Sequence, residues 1–179
     1  MSVFMGVCVS IAALLACSSV EAKRLPDPTL PIGLGNWSLL STPDAMTDEK
    51  NYFVSTNDFG LSSWFYVSVS CEAGSNTLTA SFFVKKMFGE GRSDLVYRVD
   101  KQAPVTLRAA YTKEIIELDQ RDVHNFLNAI RAGKTLAVRT QNYDGEITDH
   151  SVDINGAPRA LDKLKRSCNA KAPRGRVSR

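Results

Sequence analysis

Apolar and polar residues alternate with a period of two through much of the first half of this chain. The segments 37–41, 52–56, 63–71, 77–85 and 94–100 are short and rich in Val, Phe, Tyr, Thr and Leu, and each predicts a strand. In "SWFYVSVSC", Phe65, Val67, Val69 and Cys71 fall on one face and Trp64, Tyr66, Ser68 and Ser70 on the other, so Cys71 points toward a core. "EAGSN" (72–76) then reads as a hairpin turn into "TLTASFFVKK", and "GEGR" (89–92) as a further hairpin connection. In "SDLVYRVD" (93–100), Leu95, Tyr97 and Val99 share one face and Val96, Arg98 and Asp100 the other, so Arg98 and Asp100 project together.

The period changes in the second half. In "DQRDVHNFLNAIRAG", Val123, Phe126, Leu127 and Ile130 recur at helical spacing, with Asp119 as the expected N-cap and Gly133 as the left-handed residue after the last turn. "KTLAVRTQ" and "ITDHSVDI" flank "NYDGE" and predict a hairpin. A last helix begins near Asn155-Gly156, has Pro158 in its first turn, and turns Ala160, Leu161, Leu164 and Cys168 inward. These elements predict a mostly β, α+β domain: an antiparallel β-sandwich or curled sheet carrying two short helices.

The ends of the chain have a different character. Residues 1–17 are an uncharged apolar run, too short for a comfortable membrane span and of the length of a secretory h-region. Two processing sites are legible: "VEA" ending at Ala22, and "LLAC", which would make Cys17 a lipid-bearing first residue and tether the protein to a membrane. The expected organisation is a signal peptide over 1–22, a Pro/Gly-rich linker over 23–35, one domain over 36–168 and a disordered tail over 169–179. The tail carries four basic residues and no acidic ones, so the net charge of +3 is a property of the tail and the domain is close to neutral. That balance, with export, argues against nucleic acid as a partner.

Removing the leader leaves only Cys71 and Cys168. In an oxidising compartment two cysteines read as a disulfide. They are 97 positions apart, and a loop of that length is worth about 4–5 kcal/mol on the chain-entropy account.

Candidate chemistry is sparse. His124 and His150 have no motif neighbours and read as structural or surface residues. No HExxH, GxSxG, Walker loop or CxxC is present, and no metal or cofactor is expected. Asp44, Asp48 and Glu49 lack the fixed glycine of a calcium loop and read as a polar turn. Glu114, Glu117, Asp119 and Asp122 are the available acid–base candidates, with a solvated face as the default reading. Arg98 and Asp100 are expected to form an ion pair or polar brace, since a guanidinium can hold two carboxylate oxygens at once. Trp37, Trp64, Tyr97 and Arg139 are the candidate partner-binding residues.

An early Trp in "NWSLL", a strand ending in Cys ("YVSVSC"), "VYRVD", "FLNAIRAGKTLAVRT" and "SVDINGAPRALDKLKRSC" occur in that order. Over residues 36–168 this resembles small exported bacterial envelope proteins of the TagO/VasI kind, associated with type VI secretion. The matching positions are Trp37, Cys71, Tyr97, Arg98, Asp100, Phe126, Leu136, Arg139, Gly156, Ala160 and Cys168. "PVTLRAAYT" (104–112) departs from that pattern, where such proteins tend to carry a Trp. In general layout alone the chain is also similar to the exported invasion-associated locus B proteins. The resemblance implies a periplasmic or secreted accessory protein that binds a protein or an envelope polymer and is not an enzyme. The alternative is a hydrolase acting on cell-wall glycan, or an inhibitor of one.

Overall fold

The computed structural model describes residues 32–43, 46, 50–56, 65–72, 77–85, 89–142 and 144–169. The expected leader with Cys17, residues 23–31 of the expected linker, Asp44, Asp48, Glu49, Trp64, the expected turn residues 73–76 and the chain from 170 onward lie outside them. Among the described residues ten strands form one sheet: β1 (Ile32–Gly33), β2 (Trp37–Pro43), β3 (Lys50–Thr56), β4 (Phe65–Glu72), β5 (Thr79–Val84), β6 (Glu90–Val99), β7 (Val105–Thr112), β8 (Ile115–Leu118), β9 (Thr135–Gln141) and β10 (Ile147–Asp153). Helix α1 (Gln120–Ala132) lies between β8 and β9, and α2 (Ala157–Asn169) follows β10. Among the described residues, neither helix is long and apolar enough to cross a membrane.

Every neighbouring pair is antiparallel, in the spatial order β1-β2-β3-β4-β5-β8-β7-β6-β9-β10. The expected mostly β fold with two helices is therefore the observed one, and of the two forms considered the curled sheet is the one adopted. β4 and β10 stand six places apart in that order, which would separate them by about 29 Å in a flat sheet. Instead the rings of Phe65 on β4 and His150 on β10 stack with centroids 4.8 Å apart. The ends meet as well: the indole Nε1–H of Trp37 on β2 donates to the carbonyl of Ile154, just after β10, at 3.2 Å.

The alternation seen in the sequence explains the core. The inward positions of β4, β5, β6 and β9, from Phe65 to Cys71, Ala80 to Val84, Leu95 to Val99 and Leu136 to Val138, are all buried. The two helices close this concave face. Phe126 of α1 meets Phe82 and Tyr97 edge-on, at 5.4 and 5.3 Å between centroids. α2 turns Ala160, Leu161, Leu164 and Cys168 inward, and Cys168 is bonded to Cys71 of β4. The expected staple between the last helix and a central strand is present.

Several local details differ from the expectations. The sheet already begins at Ile32, within the expected linker, and Leu34 is buried with its N–H on the Trp37 carbonyl. "GEGR" is not a connection: Glu90, Gly91 and Arg92 begin β6 and pair with Thr112, Tyr111 and Ala110. Asp119 holds the N-cap position, but its carboxylate makes no capping bond. Gly133 ends α1 in extended conformation, at φ −107°, and not in a left-handed turn. Its role is close packing: a Cβ there would sit 2.0 Å from Cγ1 of Val99. Gly156 combines both demands, with φ +91° and a Cβ position 2.6 Å from the Leu34 carbonyl oxygen.

Candidate functional site

The register of β6, β9 and β10 assembles a trough on the outward face of the sheet. Arg98 of β6 lies opposite Ala137 of β9, which lies opposite Ser151 of β10. In the next row, Val96 lies opposite Arg139, which lies opposite Asp149. Small side chains at Ala137 and Val96 thus form a floor between two long arginines, and Pro104 closes the β7 side. The resulting concavity has a volume of about 500 Å³.

The two arginines are held differently. Arg139 donates from Nε and Nη2 to the two carboxylate oxygens of Asp149, at 2.6 and 2.7 Å. This forked contact keeps the Asp149 carboxyl below the usual carboxylate range and raises the Arg139 guanidinium. Arg98 is exposed and has no hydrogen bond or ion pair among the described residues. The expected partnership of Arg98 with Asp100 is not formed. Asp100 has left the strand, with φ +50°, and its carboxylate accepts from the backbone N–H groups of Lys134 and Thr135 at 3.1 and 2.8 Å. It is a brace between the end of β6 and the start of β9, because the chain turns before the i+2 geometry of a strand can apply.

Two other sequence candidates are core residues. Trp37 is fully buried and Tyr97 is 5% exposed, so neither can present a contact surface. Burial, reinforced by the nearby Asp122 charge, raises the Tyr97 phenol above its ordinary value. Alternation alone could have placed Tyr97 here, since it shares its face with Leu95 and Val99. Arg139 was identified from the sequence, whereas Asp149, Ser151 and Ala137 were not.

The four acidic candidates fall into two pairs. Glu117 faces outward, between Ser81 and Ala110, and Glu114 lies near the Tyr66 phenol on that same outer side. Asp119 and Asp122 stand at the start of α1, where Arg92 contacts Asp119 and Arg121 reaches both carboxylates at 3.5 Å. The hydrogen bond from Arg92, together with both arginine charges, holds Asp119 below the usual carboxylate range.

A second concavity, of about 410 Å³, runs between α1 and α2 beside the start of β5. Its polar groups pair largely with one another. Arg131 is bonded to Asp162 across the two helices at 2.7 Å, and His124 to Asn128 at 3.0 Å. Leu127 and Cys168 beneath them are buried. This is the seam that docks the two helices, and Lys165 at its edge has no partner among the described residues; in the trough a free arginine instead stands beside one already positioned by a carboxylate.

No protein-family profile matches the chain, and no curated protein matches it by sequence. A solved structure does share the fold: invasion associated protein B from Bartonella henselae superposes with a TM-score of 0.53 at 18% identity, covering 76% of this chain and 95% of that one. The likeness spans nearly all of the neighbour, so the curled sheet with its two helices is a fold found in a bacterial protein of that description.

Proposed function

We propose that this chain is an exported envelope protein with a binding or accessory role and no catalytic activity of its own. The observation that carries this reading is the disulfide. The two cysteines that survive removal of the leader join β4 to α2 with a Cα–Cα distance of 6.1 Å, and both are buried. Such a bond persists in the periplasm or outside the cell and is rare in the cytosol. The outward trough, with its unpaired Arg98, supplies a recognition surface on the frame that the disulfide stiffens. A solved neighbour described as invasion associated is consistent with an envelope or surface role. The finer reading, an accessory role in type VI secretion, rests on the resemblance carried by "YVSVSC", "VYRVD" and "SVDINGAPRALDKLKRSC".

Crosslinking the chain in intact cells, followed by purification from the envelope fraction, tests the reading. A discrete envelope protein joined to the outward face supports it, and secretion components among the products support the finer form. A chain that stays in the cytoplasm with both thiols reduced overturns it. Turnover of cell-wall glycan by the purified protein, lost on substitution of Glu114, Glu117, Asp119 or Asp122, would establish the enzymatic alternative instead.

A further inference from the structure

We infer that the outward trough between β6, β9 and β10 receives a carboxylate from an acidic, extended segment of a partner protein. The inference deepens the binding-domain reading and rests on it.

Arg139 is already positioned, because Asp149 holds its Nε and Nη2 edge and leaves its other N–H groups for a ligand. Arg98 sits on the neighbouring strand, two residues out of register with Arg139: its cross-strand partner is Ala137. Diagonal neighbours of that kind lie roughly 7–8 Å apart, with their Cβ atoms somewhat closer, within reach of long side chains. One carboxylate can therefore be met by the fixed guanidinium and the free one together. Ala137 and Val96 leave space above the floor for a short acidic side chain, and the Ser151 hydroxyl stands at the end of the Arg98 row.

The chemistry of the trough narrows the ligand. Asp149 cancels one of the two arginines, so a single positive charge is uncompensated. That suits a carboxylate better than a phosphate dianion or a densely anionic lipid surface. Sugar acids are ordinarily gripped by an exposed aromatic ring. The rings that line this region, Tyr97 and His150, are engaged toward the opposite face, against Phe126 and Phe65 respectively. An acidic peptide satisfies both conditions.

The test uses the full-length, oxidised protein and fluorescence anisotropy. The probes are a labelled peptide of alternating Glu and Ala, its Gln-for-Glu counterpart, and a labelled oligogalacturonate. The Glu peptide should bind saturably and weaken with added salt, while the Gln peptide should not bind. Arg98→Gln should weaken binding about tenfold or more, the loss expected of one charge-assisted contact. Ala137→Glu, which places a carboxylate in the trough itself, should abolish binding. Arg108→Gln, an exposed outward arginine on β7 beyond the trough, should change nothing. Arg98 is exposed and unpartnered, so melting curves of the variants should match the wild type and exclude misfolding as the cause. Equal affinity in wild type, Arg98→Gln and Ala137→Glu overturns the inference, as does binding of oligogalacturonate without binding of the Glu peptide. Envelope crosslinks that map elsewhere on the surface, with no peptide binding, overturn the trough and keep the binding-domain reading. A reduced, cytoplasmic chain overturns that reading as well.

Discussion

The two halves of the curled sheet bury the same kind of inner face and differ on the outside. Across β2 to β5 the outward side carries a row of hydroxyls, Ser38, Ser55, Ser68 and Ser81, each opposite the next, which meets Glu117 on β8. The Ser55 hydroxyl is buried without a hydrogen-bond partner among the described residues. Across β6 to β10 the outward side is charged, with Asp94, Arg98, Arg139 and Asp149. The ways in which the halves are tied differ as well. The first is bonded covalently to α2 through Cys71 and Cys168, and the second carries polar contacts only, a brace from Asp100 to the start of β9 and the exposed pair of Arg139 with Asp149. Covalent and polar ties are thus divided, with the first half anchoring the frame and the second presenting an arginine that folding does not consume.

Breaking the covalent tie should have the largest effect. Cys168→Ala is expected to lower the unfolding free energy by about 4–5 kcal/mol on the chain-entropy account, measured by denaturant titration, and reduction of the wild type should do the same. A loss below about 1 kcal/mol would mean that the two halves are equally dependent on packing alone. Next comes the shared core. Phe126→Ala removes the ring that bridges Phe82 of one half and Tyr97 of the other, and should cost about 3–5 kcal/mol. It should destabilise both halves together in hydrogen exchange, whereas loss of the disulfide should first expose α2 and β4.

Smaller effects belong to the polar half. Asp100→Ala should cost about 1 kcal/mol, because it frees the N–H groups of Lys134 and Thr135 and leaves a non-glycine residue at φ +50°. Asp100→Asn, which keeps an acceptor and tolerates that conformation, should recover most of the loss. The pH dependence has a definite sign. Asp119, Asp149 and Asp153 are held below their ordinary value by Arg92, by Arg139 and by the Asn155 N–H respectively. The folded state therefore binds these protons less readily than the unfolded chain. Their contribution is present above the ordinary carboxylate value and lost as pH falls through and below it. Melting temperatures measured downward from about pH 5 should fall less steeply in Asp119→Asn than in wild type. The smallest effect is that of Asp149→Asn: the Arg139 pair is exposed, so the melting temperature at physiological salt should scarcely move.

The inner face was legible because strand alternation and helical spacing report burial directly, as they did for Cys71, Phe126, Ile130 and Leu164. The strand order was not. β7 escaped notice because Arg108, Ala109 and Ala110 interrupt its apolar pattern, and β8 is four residues long with Glu117 in it. These two strands insert between β5 and β6, which are successive in sequence and unpaired in space. Aromatic residues are a poor guide to the site in this chain, because Trp37 and Tyr97 serve the core. Arg98 and Arg139 were singled out, but the trough depends on the opposition of Val96, Ala137, Asp149 and Ser151. That opposition is set by register between distant segments, which no local pattern encodes.

The proposal of an exported domain stapled by Cys71 and Cys168 has a decisive readout in the mass of the native chain after alkylation. The protein would be recovered from the cell's own envelope or medium and alkylated before and after reduction. The expected chain lacks its leader, is unmodified at first, and gains two labels at Cys71 and Cys168 once reduced. A cytoplasmic chain that retains its leader and is labelled at both positions without reduction would contradict it.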